Sequence, residues 1–237
     1  MALSLSGKHI LLTGATGGLG LSLARKFNET GAKLSLTGRN FAALEALKSE
    51  LGGETKIFGA DLTKREQCKA MIDYFRKENG SIQVLVNNAG TGWYKPFTEF
   101  SSEENDFILD VNLNSLVYLT HQLIPEMKEN GSGDILNIAS DLARRPLANM
   151  SLYTATKHGL AGLSQSLVRE LKPHNIRVQM MAPGMIDTPF GGKATGDVKP
   201  PYALDPNDLA DIAVFMLTRP SYLIMDEVSV HPNGQDF

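Results

Sequence analysis

The sequence has one cysteine, Cys68, among its 237 residues, so no intrachain disulfide can form. It also lacks a large excess of charge: the net charge of −3 is not typical of a nucleic-acid or acidic-membrane partner. No stretch approaches the roughly 18 consecutive apolar residues of a spanning helix, and the first residues do not have the pattern of a signal peptide. We therefore expect a cytoplasmic protein with no nucleic-acid and no membrane partner.

Metal-binding patterns are also missing from the sequence. The histidines show no H-E-x-x-H spacing and no cluster with the cysteine; they are His9, His121, His158, His174 and His231. We therefore predict that the protein has no metal site.

Short apolar segments alternate with longer segments of helical spacing along the whole chain. The candidate strands are His9–Thr13, Lys33–Thr37, Thr55–Gly59, Val84–Asn87, Asp134–Ala139, Arg177–Met181 and Glu227–His231. The candidate helices are Leu19–Thr30, Phe41–Leu51, Lys64–Asn79, Leu113–Asn130, Ser151–Lys172 and Pro206–Thr218. This alternation predicts a doubly wound α/β Rossmann fold, with about seven parallel strands and helices on both faces. We expect a single domain over residues 1–237, with an irregular segment at 188–205 that is either a substrate loop or a surface connection.

A glycine-rich turn follows the first candidate strand and precedes a helix: Thr13-Gly14-Ala15-Thr16-Gly17-Gly18-Leu19-Gly20. Glycines let the backbone approach a pyrophosphate closely, and the helix offers unpaired N–H groups to phosphates. A tight strand-to-helix turn is the simpler interpretation of a glycine cluster. Its place at the first strand–helix junction favours a dinucleotide site instead.

Arg39 closes the second candidate strand, where dinucleotide-binding folds recognise the adenosine ribose. An acidic residue at this place binds the ribose hydroxyls of NAD, whereas a basic residue accommodates the 2′-phosphate of NADP. No Asp or Glu occurs between Lys33 and Leu44. A solvated surface arginine is the alternative, but the position predicts a preference for NADP(H) over NAD(H).

Tyr153 and Lys157 stand four residues apart in a segment of helical spacing, so their side chains can share one face of a helix. A neighbouring ammonium lowers the pKa of a phenol, which makes the pair a candidate acid–base unit. Ser140 follows the apolar strand of residues 134–139 and is placed to hydrogen-bond a substrate carbonyl. Taken alone, Tyr153 and Lys157 are also typical of the surface of an amphipathic helix. Ser140 alone is also typical of a turn at the end of a strand.

Taken in order, these motifs resemble the short-chain dehydrogenase/reductase family, in its single-domain branch with members like 3-oxoacyl-acyl-carrier-protein reductase. The marks of the resemblance are Thr13–Gly20, Asp61-Leu62, Asn87-Asn88-Ala89-Gly90, Asn112, Ser140, Tyr153, Lys157 and Pro183-Gly184. The resemblance implies that Asn112, Ser140, Tyr153 and Lys157 are catalytic. The cofactor residues that it and the glycine turn imply are Gly14, Thr16, Gly17, Gly18, Leu19, Gly20, Arg39, Asp61, Leu62, Asn88, Ala89, Gly90, Tyr153, Lys157, Pro183, Gly184, Ile186 and Thr188.

The implied reaction is hydride transfer between NADPH and a carbonyl or alcohol, with Tyr153 as general acid and base, and Lys157 and Asn112 as a proton relay. Alternatives are an NAD-dependent dehydrogenase of a hydroxy compound and a non-catalytic dinucleotide sensor. Trp93, Tyr94 and Phe97 are candidates for an apolar pocket wall or for ordinary packing, and Arg144 and Arg145 for anion binding or a solvated surface. The family resemblance also implies a homo-oligomer, a tetramer or a dimer.

Overall fold

The computed structural model describes residues 4–192 and 195–235 and contains one seven-stranded parallel sheet. The strands are β1 (His9–Thr13), β2 (Lys33–Gly38), β3 (Lys56–Gly59), β4 (Val84–Asn87), β5 (Gly133–Ile138), β6 (Ile176–Pro183) and β7 (Glu227–Val230). Their spatial order is β3-β2-β1-β4-β5-β6-β7. The predicted α/β fold with a parallel sheet of about seven strands is confirmed.

Helices connect successive strands and cover the sheet. They are α1 (Gly18–Glu29), α2 (Phe41–Leu51), α3 (Arg65–Asn79), α4 (Ser102–Leu109), α5 (Ser115–Glu129), α6 (Ser151–Leu171) and α7 (Pro206–Leu217). Within residues 4–192 and 195–235, no helix has both the length and the apolar character needed to cross a membrane.

The sheet has a hydrophobic core on each face, because successive side chains of a strand point to opposite sides. Ile10 and Leu12 of β1 belong to the core under α1 and α7, whereas Leu11 between them belongs to the core under α3 and α5. The helices therefore lie on both faces of the sheet, as predicted.

Helix α4 was not predicted from the sequence. It begins after Ser101, whose hydroxyl accepts a hydrogen bond from the backbone N–H of Glu104, while the Glu104 carboxylate accepts one from the Ser101 N–H. This reciprocal capping box is a helix-start signal that the sequence contains. A π-helical segment, Asp110–Asn114, joins α4 to α5, so the helix predicted to start at Leu113 starts at Ser115.

A buried ion pair joins β5 and β6 at their amino ends. Arg177 and Asp134 stand opposite each other, with Arg177 Nε 2.5 Å from Asp134 Oδ1. The same guanidinium donates to the carbonyl oxygens of Leu217 and Arg219 at 2.9 and 2.8 Å. One arginine thus ties two central strands to the end of α7.

Candidate functional site

The carboxyl ends of the parallel strands meet at one edge of the sheet, where α/β folds bind their ligands. The glycine-rich turn follows β1, Asn88 follows β4, Ser140 follows β5 by two residues, and Gly184 follows β6. The structure therefore brings the predicted residues to a common edge.

The glycine-rich turn packs directly against the segment that follows β4. Gly14 has a φ of +65°, and a Cβ there would lie 2.8 Å from Ala89 Cα. The Asn88 side-chain amide donates to the carbonyl oxygens of Thr13 and Gly14, at 3.0 and 3.1 Å. A Cβ at Gly20 would lie 2.1 Å from Gly14 O. Both glycines are thus required by close backbone packing.

The amino end of α1 lies at this edge and has no side-chain cap. Gly17 precedes the helix and supplies no side-chain cap, so the N–H groups of the first turn point outward as in anion-binding helix termini. Gly18 lies against Thr188, since a Cβ at Gly18 would be 2.5 Å from Thr188 Cγ2. Thr16 lies beside Gly38 at the end of β2, and Leu19 is buried.

A cleft of about 690 Å³ lies at the ends of β2 and β3. Its lining residues are Arg39, Phe41, Ile57, Phe58, Gly59, Ala60, Asp61, Gln67 and Tyr74. Arg39 is exposed at the rim, and its guanidinium carbon lies 5.7 Å from the centre of the Phe107 ring. Asp61 is also at the cleft, but Oδ1 of its carboxylate accepts hydrogen bonds from the backbone and hydroxyl of Thr63. Leu62 follows Asp61 and is half-buried.

Tyr153 and Lys157 project from the first two turns of α6 toward the end of β5. Lys157 Nζ lies 5.4 Å from the centre of the Tyr153 ring and donates to Ile138 O at 2.9 Å. Ser140, two residues beyond Ile138, lies close enough to Tyr153 for its hydroxyl to lower the pKa of the phenol. Three of the predicted catalytic side chains therefore lie together.

Burial dominates the electrostatics of this group. It raises the pKa of Tyr153, while the nearby Ser140 hydroxyl lowers it and the Asp141 charge raises it further. Burial also lowers the pKa of Lys157 to about 8. The expectation that Lys157 lowers the pKa of Tyr153 is therefore wrong for this structure, because the ammonium lies over the ring, bonded to Ile138 O, and burial outweighs it.

Asn112 lies in the π-helical segment and is buried. Its side-chain oxygen accepts from Thr91 N at 2.8 Å, and its amide nitrogen donates to Thr91 O at 2.7 Å and to Thr156 Oγ1 at 3.3 Å. A Cβ at Gly90 would lie 3.6 Å from Asn112 Oδ1 and 3.9 Å from Lys157 Nζ. Asn112 and Lys157 thus approach the same glycine.

Beyond β6, the chain passes through the other predicted contact residues before entering the irregular segment. Pro183 ends β6, and Gly184 N donates to Val230 O at 2.8 Å. Ile186 forms a β-bridge with Leu204. This bridge brings the two ends of the predicted loop at 188–205 together; residues 193 and 194 of that loop lie outside the described residues.

Sequence reasoning missed two residues that shape the surroundings of Tyr153. Phe190 lies with its ring centre 5.4 Å from that of Tyr153. A Cβ at Gly92 would lie 2.9 Å from Tyr153 Cδ2 and 3.2 Å from Phe190 Cζ. Gly92 follows the Asn88–Gly90 motif by two residues, and this proximity is the sequence feature that could have indicated its place near the site.

The aromatic and basic residues that the sequence suggested for the substrate site lie in different environments. The Trp93 ring packs against Phe107, with ring centres 6.1 Å apart, whereas Tyr94 and Phe97 are largely exposed. The Arg144 guanidinium pairs with Glu227 at 2.6 Å. In residues 4–192 and 195–235, no three or more His, Cys, Asp or Glu side chains form a group that could hold a metal ion.

Comparisons with known proteins give consistent matches over nearly the whole chain. A family model described as short chain dehydrogenase matches residues 8–199. An uncharacterized oxidoreductase of Staphylococcus epidermidis is 33% identical over 230 residues, which cover 95% of this chain and 97% of that protein.

Two solved structures are similar at comparable identity. A metagenomic short-chain oxidoreductase in complex with NADP is 34% identical with a TM-score of 0.85, covering 98% of this chain and 99% of that one. The 3-ketoacyl-(acyl-carrier-protein) reductase from Brucella melitensis, complexed with NADH, is 33% identical with a TM-score of 0.89, covering 96% and 97% of the two chains.

Proposed function

The chain belongs to the short-chain dehydrogenase family and is an oxidoreductase, and from this premise we propose that it transfers hydride between NADP(H) and a carbonyl or alcohol substrate. The observation that carries the proposal is the grouping of Ser140, Tyr153 and Lys157 at the sheet edge that also bears the glycine-rich turn.

The residues present fit a dinucleotide. Gly14 and Gly20 lie where a Cβ would collide with backbone, so the turn is as compact as a pyrophosphate site requires. The uncapped end of α1, the exposed Arg39 and the buried ammonium of Lys157 add N–H and cationic groups along the same edge. When bound, the nicotinamide cofactor supplies or accepts the hydride.

We assign proton transfer to Tyr153. The Tyr153 hydroxyl gives its proton to the substrate oxygen in reduction, and takes it back in oxidation. Ser140, which lies beside Tyr153, helps to position that oxygen. Lys157 uses one N–H on Ile138 O and keeps the others for the cofactor ribose and the relay. Asn112 continues the relay through its side-chain oxygen, which keeps one lone pair for a water.

The NADP(H) preference rests on Arg39. Its guanidinium is exposed at the rim of the cleft and is held against Phe107. Among the described residues, no acidic side chain forms an ion pair with it. A free planar guanidinium suits a phosphate better than a pair of ribose hydroxyls. The bound NADP and NADH in the two similar structures are compatible with either cofactor.

For the substrate, we propose a ketone or aldehyde with an apolar body, including 3-oxoacyl thioesters. The support is Phe190, which is partly exposed and packs against the Tyr153 ring, together with the likeness to a 3-ketoacyl reductase. The loop at 188–205 carries Phe190 and is the proposed substrate loop. Arg144 is a weaker candidate for anion binding than its sequence position indicated, because Glu227 offsets its charge.

We also propose a homo-oligomer formed through α5 and α6. A depression of about 510 Å³ lies on the outer face of α6, lined by Pro146, Leu147, Ala148, Ser151, Thr154, Ala155 and His158. Light scattering on the purified protein measures the assembly directly; a monomer at micromolar concentration contradicts this proposal.

The decisive experiment is Tyr153→Phe, assayed by NADPH consumption with a panel of ketones, aldehydes and 3-oxoacyl thioesters. The variant keeps the ring that contacts Phe190 but loses the proton, so we expect NADPH binding to persist and turnover to vanish. Tyr222→Phe makes the same change at a largely exposed ring and serves as the matched control. Near-normal turnover of Tyr153→Phe refutes the mechanism, and a wild type that binds NADPH without oxidising it supports the alternative of a sensor.

The cofactor choice is tested separately with Arg39→Ala. Fluorescence titration of the wild type is expected to show tighter binding of NADPH than of NADH, and the variant should lose most of that difference. Tighter binding of NADH to the wild type reverses the assignment and favours an NAD-dependent dehydrogenase.

A further inference from the structure

Asp141 immediately follows Ser140 and lies against its hydroxyl. The Ser140 hydroxyl donates to Asp141 Oδ1 at 2.9 Å, and both residues are buried. The other oxygen of the carboxylate, Oδ2, accepts a hydrogen bond from Gln235 Nε2 at 2.7 Å. A carboxylate with a partner at each oxygen thus connects the C-terminal segment to a residue of the proposed active site.

Gln235 is held firmly enough to fix that carboxylate. Its side-chain oxygen accepts from Met185 N at 3.0 Å, so both ends of its amide are engaged. Gly184 leaves room for the amide, because a Cβ there would lie 2.3 Å from Gln235 Oε1. Gly234 N donates to Pro201 O at 2.8 Å, which anchors the segment to the loop at 188–205.

The contact decides where the Ser140 hydrogen points. A hydroxyl has one hydrogen to donate, and in this structure Asp141 receives it. The Ser140 oxygen is then left to act as an acceptor, and it accepts from Leu142 N at 3.2 Å. The hydroxyl that lies beside Tyr153 is thus oriented by a buried anion.

The charges that face Tyr153 come from two elements. Lys157, on the same helix, lies 5.4 Å from the ring centre. Asp141, in the turn after β5, contributes the negative charge. Arg144 lies three residues further along that turn, but its guanidinium bonds Glu227 of β7 at 2.6 Å. The pKa of Tyr153 is raised by Asp141 in addition to burial.

We propose that Asp141 is a positioning residue, held by Gln235, that orients the Ser140 hydroxyl and places a fixed negative charge beside Tyr153. The charge adds to burial in keeping Tyr153 protonated, which is the form that donates to a carbonyl oxygen. Compared with a site that lacks the Asp141 charge, this site therefore continues to reduce carbonyl compounds at higher pH. It also begins to oxidise alcohols only at higher pH. This inference rests on the proposed role of Tyr153.

The test is the pH dependence of kcat for Asp141→Asn, measured in both directions with the panel compound that the wild type reduces fastest and with its alcohol. Asparagine keeps the size but not the charge, and its single side-chain oxygen can accept only one of the two hydrogen bonds that Asp141 accepts. The midpoint of the rise in oxidation should move to lower pH, by up to about one unit, because the negative charge that raises the pKa of Tyr153 is gone. The midpoint of the fall in kcat for reduction at high pH should move to lower pH by the same amount.

Three further variants separate charge from structure. Asp141→Ser removes the same charge with a smaller side chain and should show the same acid shift. Gln235→Leu leaves the Asp141 carboxylate charged but removes the hydrogen bond that Gln235 donates to it. Because Ser140 is then misplaced, kcat should fall on the order of tenfold, and the midpoint should not move. Asp73→Asn makes the same chemical change at an exposed ion pair on α3 and should leave the profile unchanged.

An Asp141→Asn profile with the wild-type midpoint, or one scaled equally at every pH, overturns the inference. If that occurs while Tyr153→Phe is inactive, the inference alone fails. If Tyr153→Phe turns over normally, or the wild type reduces none of the panel, the proposed function itself fails.

Discussion

Replacing Lys157 with methionine removes an ammonium group that the folded protein buries almost completely. Burial lowers the pKa of Lys157 from its ordinary 10.5 to about 8. At 1.36 kcal/mol per pKa unit, keeping the group charged at neutral pH costs about 3 kcal/mol of folding free energy. The hydrogen bond to Ile138 O returns about 1 kcal/mol of that cost. Lys157→Met should therefore be more stable than the wild type by about 2 kcal/mol near pH 7.

The change of stability with pH shows whether burying Lys157 is unfavourable for folding. Between pH 8 and 10.5 the unfolded chain holds a proton on Lys157 that the folded chain has released, so stability rises with pH across this window. The free energy of unfolding of the wild type, relative to that of the methionine variant, should increase by about 2 kcal/mol from about pH 7 to about pH 9.5. Taking the difference cancels the titration of other groups.

Urea unfolding without added cofactor, followed by circular dichroism at the two pH values, measures both quantities. Lys172→Met, at an exposed lysine just after α6, is the matched control and should show neither the stabilisation nor the altered pH dependence. A Lys157→Met protein that is less stable than the wild type near pH 7, with a difference that does not change with pH, refutes the burial argument. NADPH oxidation by the variant should be lost in either case.

Three other predictions follow from packing and burial. Gly92→Ala puts a Cβ 2.9 Å from Tyr153 Cδ2 and should lower kcat by on the order of tenfold or more, as steady-state kinetics will show. Cys68 is buried and its pKa is raised to about 11, so an aromatic disulfide reagent near pH 8 should label it only after unfolding. Asp134→Ala leaves Arg177 buried without its carboxylate and should lower the free energy of unfolding by about 3–5 kcal/mol in urea titrations.

Each of these has its own control. Gly162→Ala, in the same helix as Tyr153 but with open space around its Cβ, should keep the wild-type kcat. Rapid labelling of Cys68 in the folded protein would contradict its burial. The double replacement Asp134→Leu with Arg177→Met should recover much of the stability lost by Asp134→Ala; no recovery would show that packing rather than the unpaired charge is responsible.

The strand pattern was predictable because central parallel strands are buried on both faces. Segments such as Ile10–Leu12 and Val84–Val86 are continuously apolar for that reason, and they stand in register in the sheet. Helix α4 was missed although Ser101 and Glu104 form a capping box, because its eight residues carry little amphipathic pattern. Boundaries differ by one or two residues where local hydrogen bonds decide them.

The grouping of Ser140, Tyr153 and Lys157 was predictable from order and spacing, but its electrostatics was not. The direction of a pKa shift depends on how completely the fold removes a group from water, and spacing along a helix does not contain that information. The contact between Asp141 and Gln235 joins residues 94 positions apart. No local pattern indicates it, because it exists only once the C-terminal segment has crossed the sheet edge.

The spatial order of the sheet divides the molecule into two consecutive halves. Strands β1 to β3 run outward in one direction from the centre and β4 to β7 in the other, so the boundary lies near Gly80, between α3 and β4. The glycine-rich turn and Arg39 belong to the first half, and Ser140, Tyr153 and Lys157 to the second. Exchange of the first half between relatives therefore offers a route to a different dinucleotide preference with the proton-transfer residues left in place, provided that the seam between β1 and β4 is kept intact.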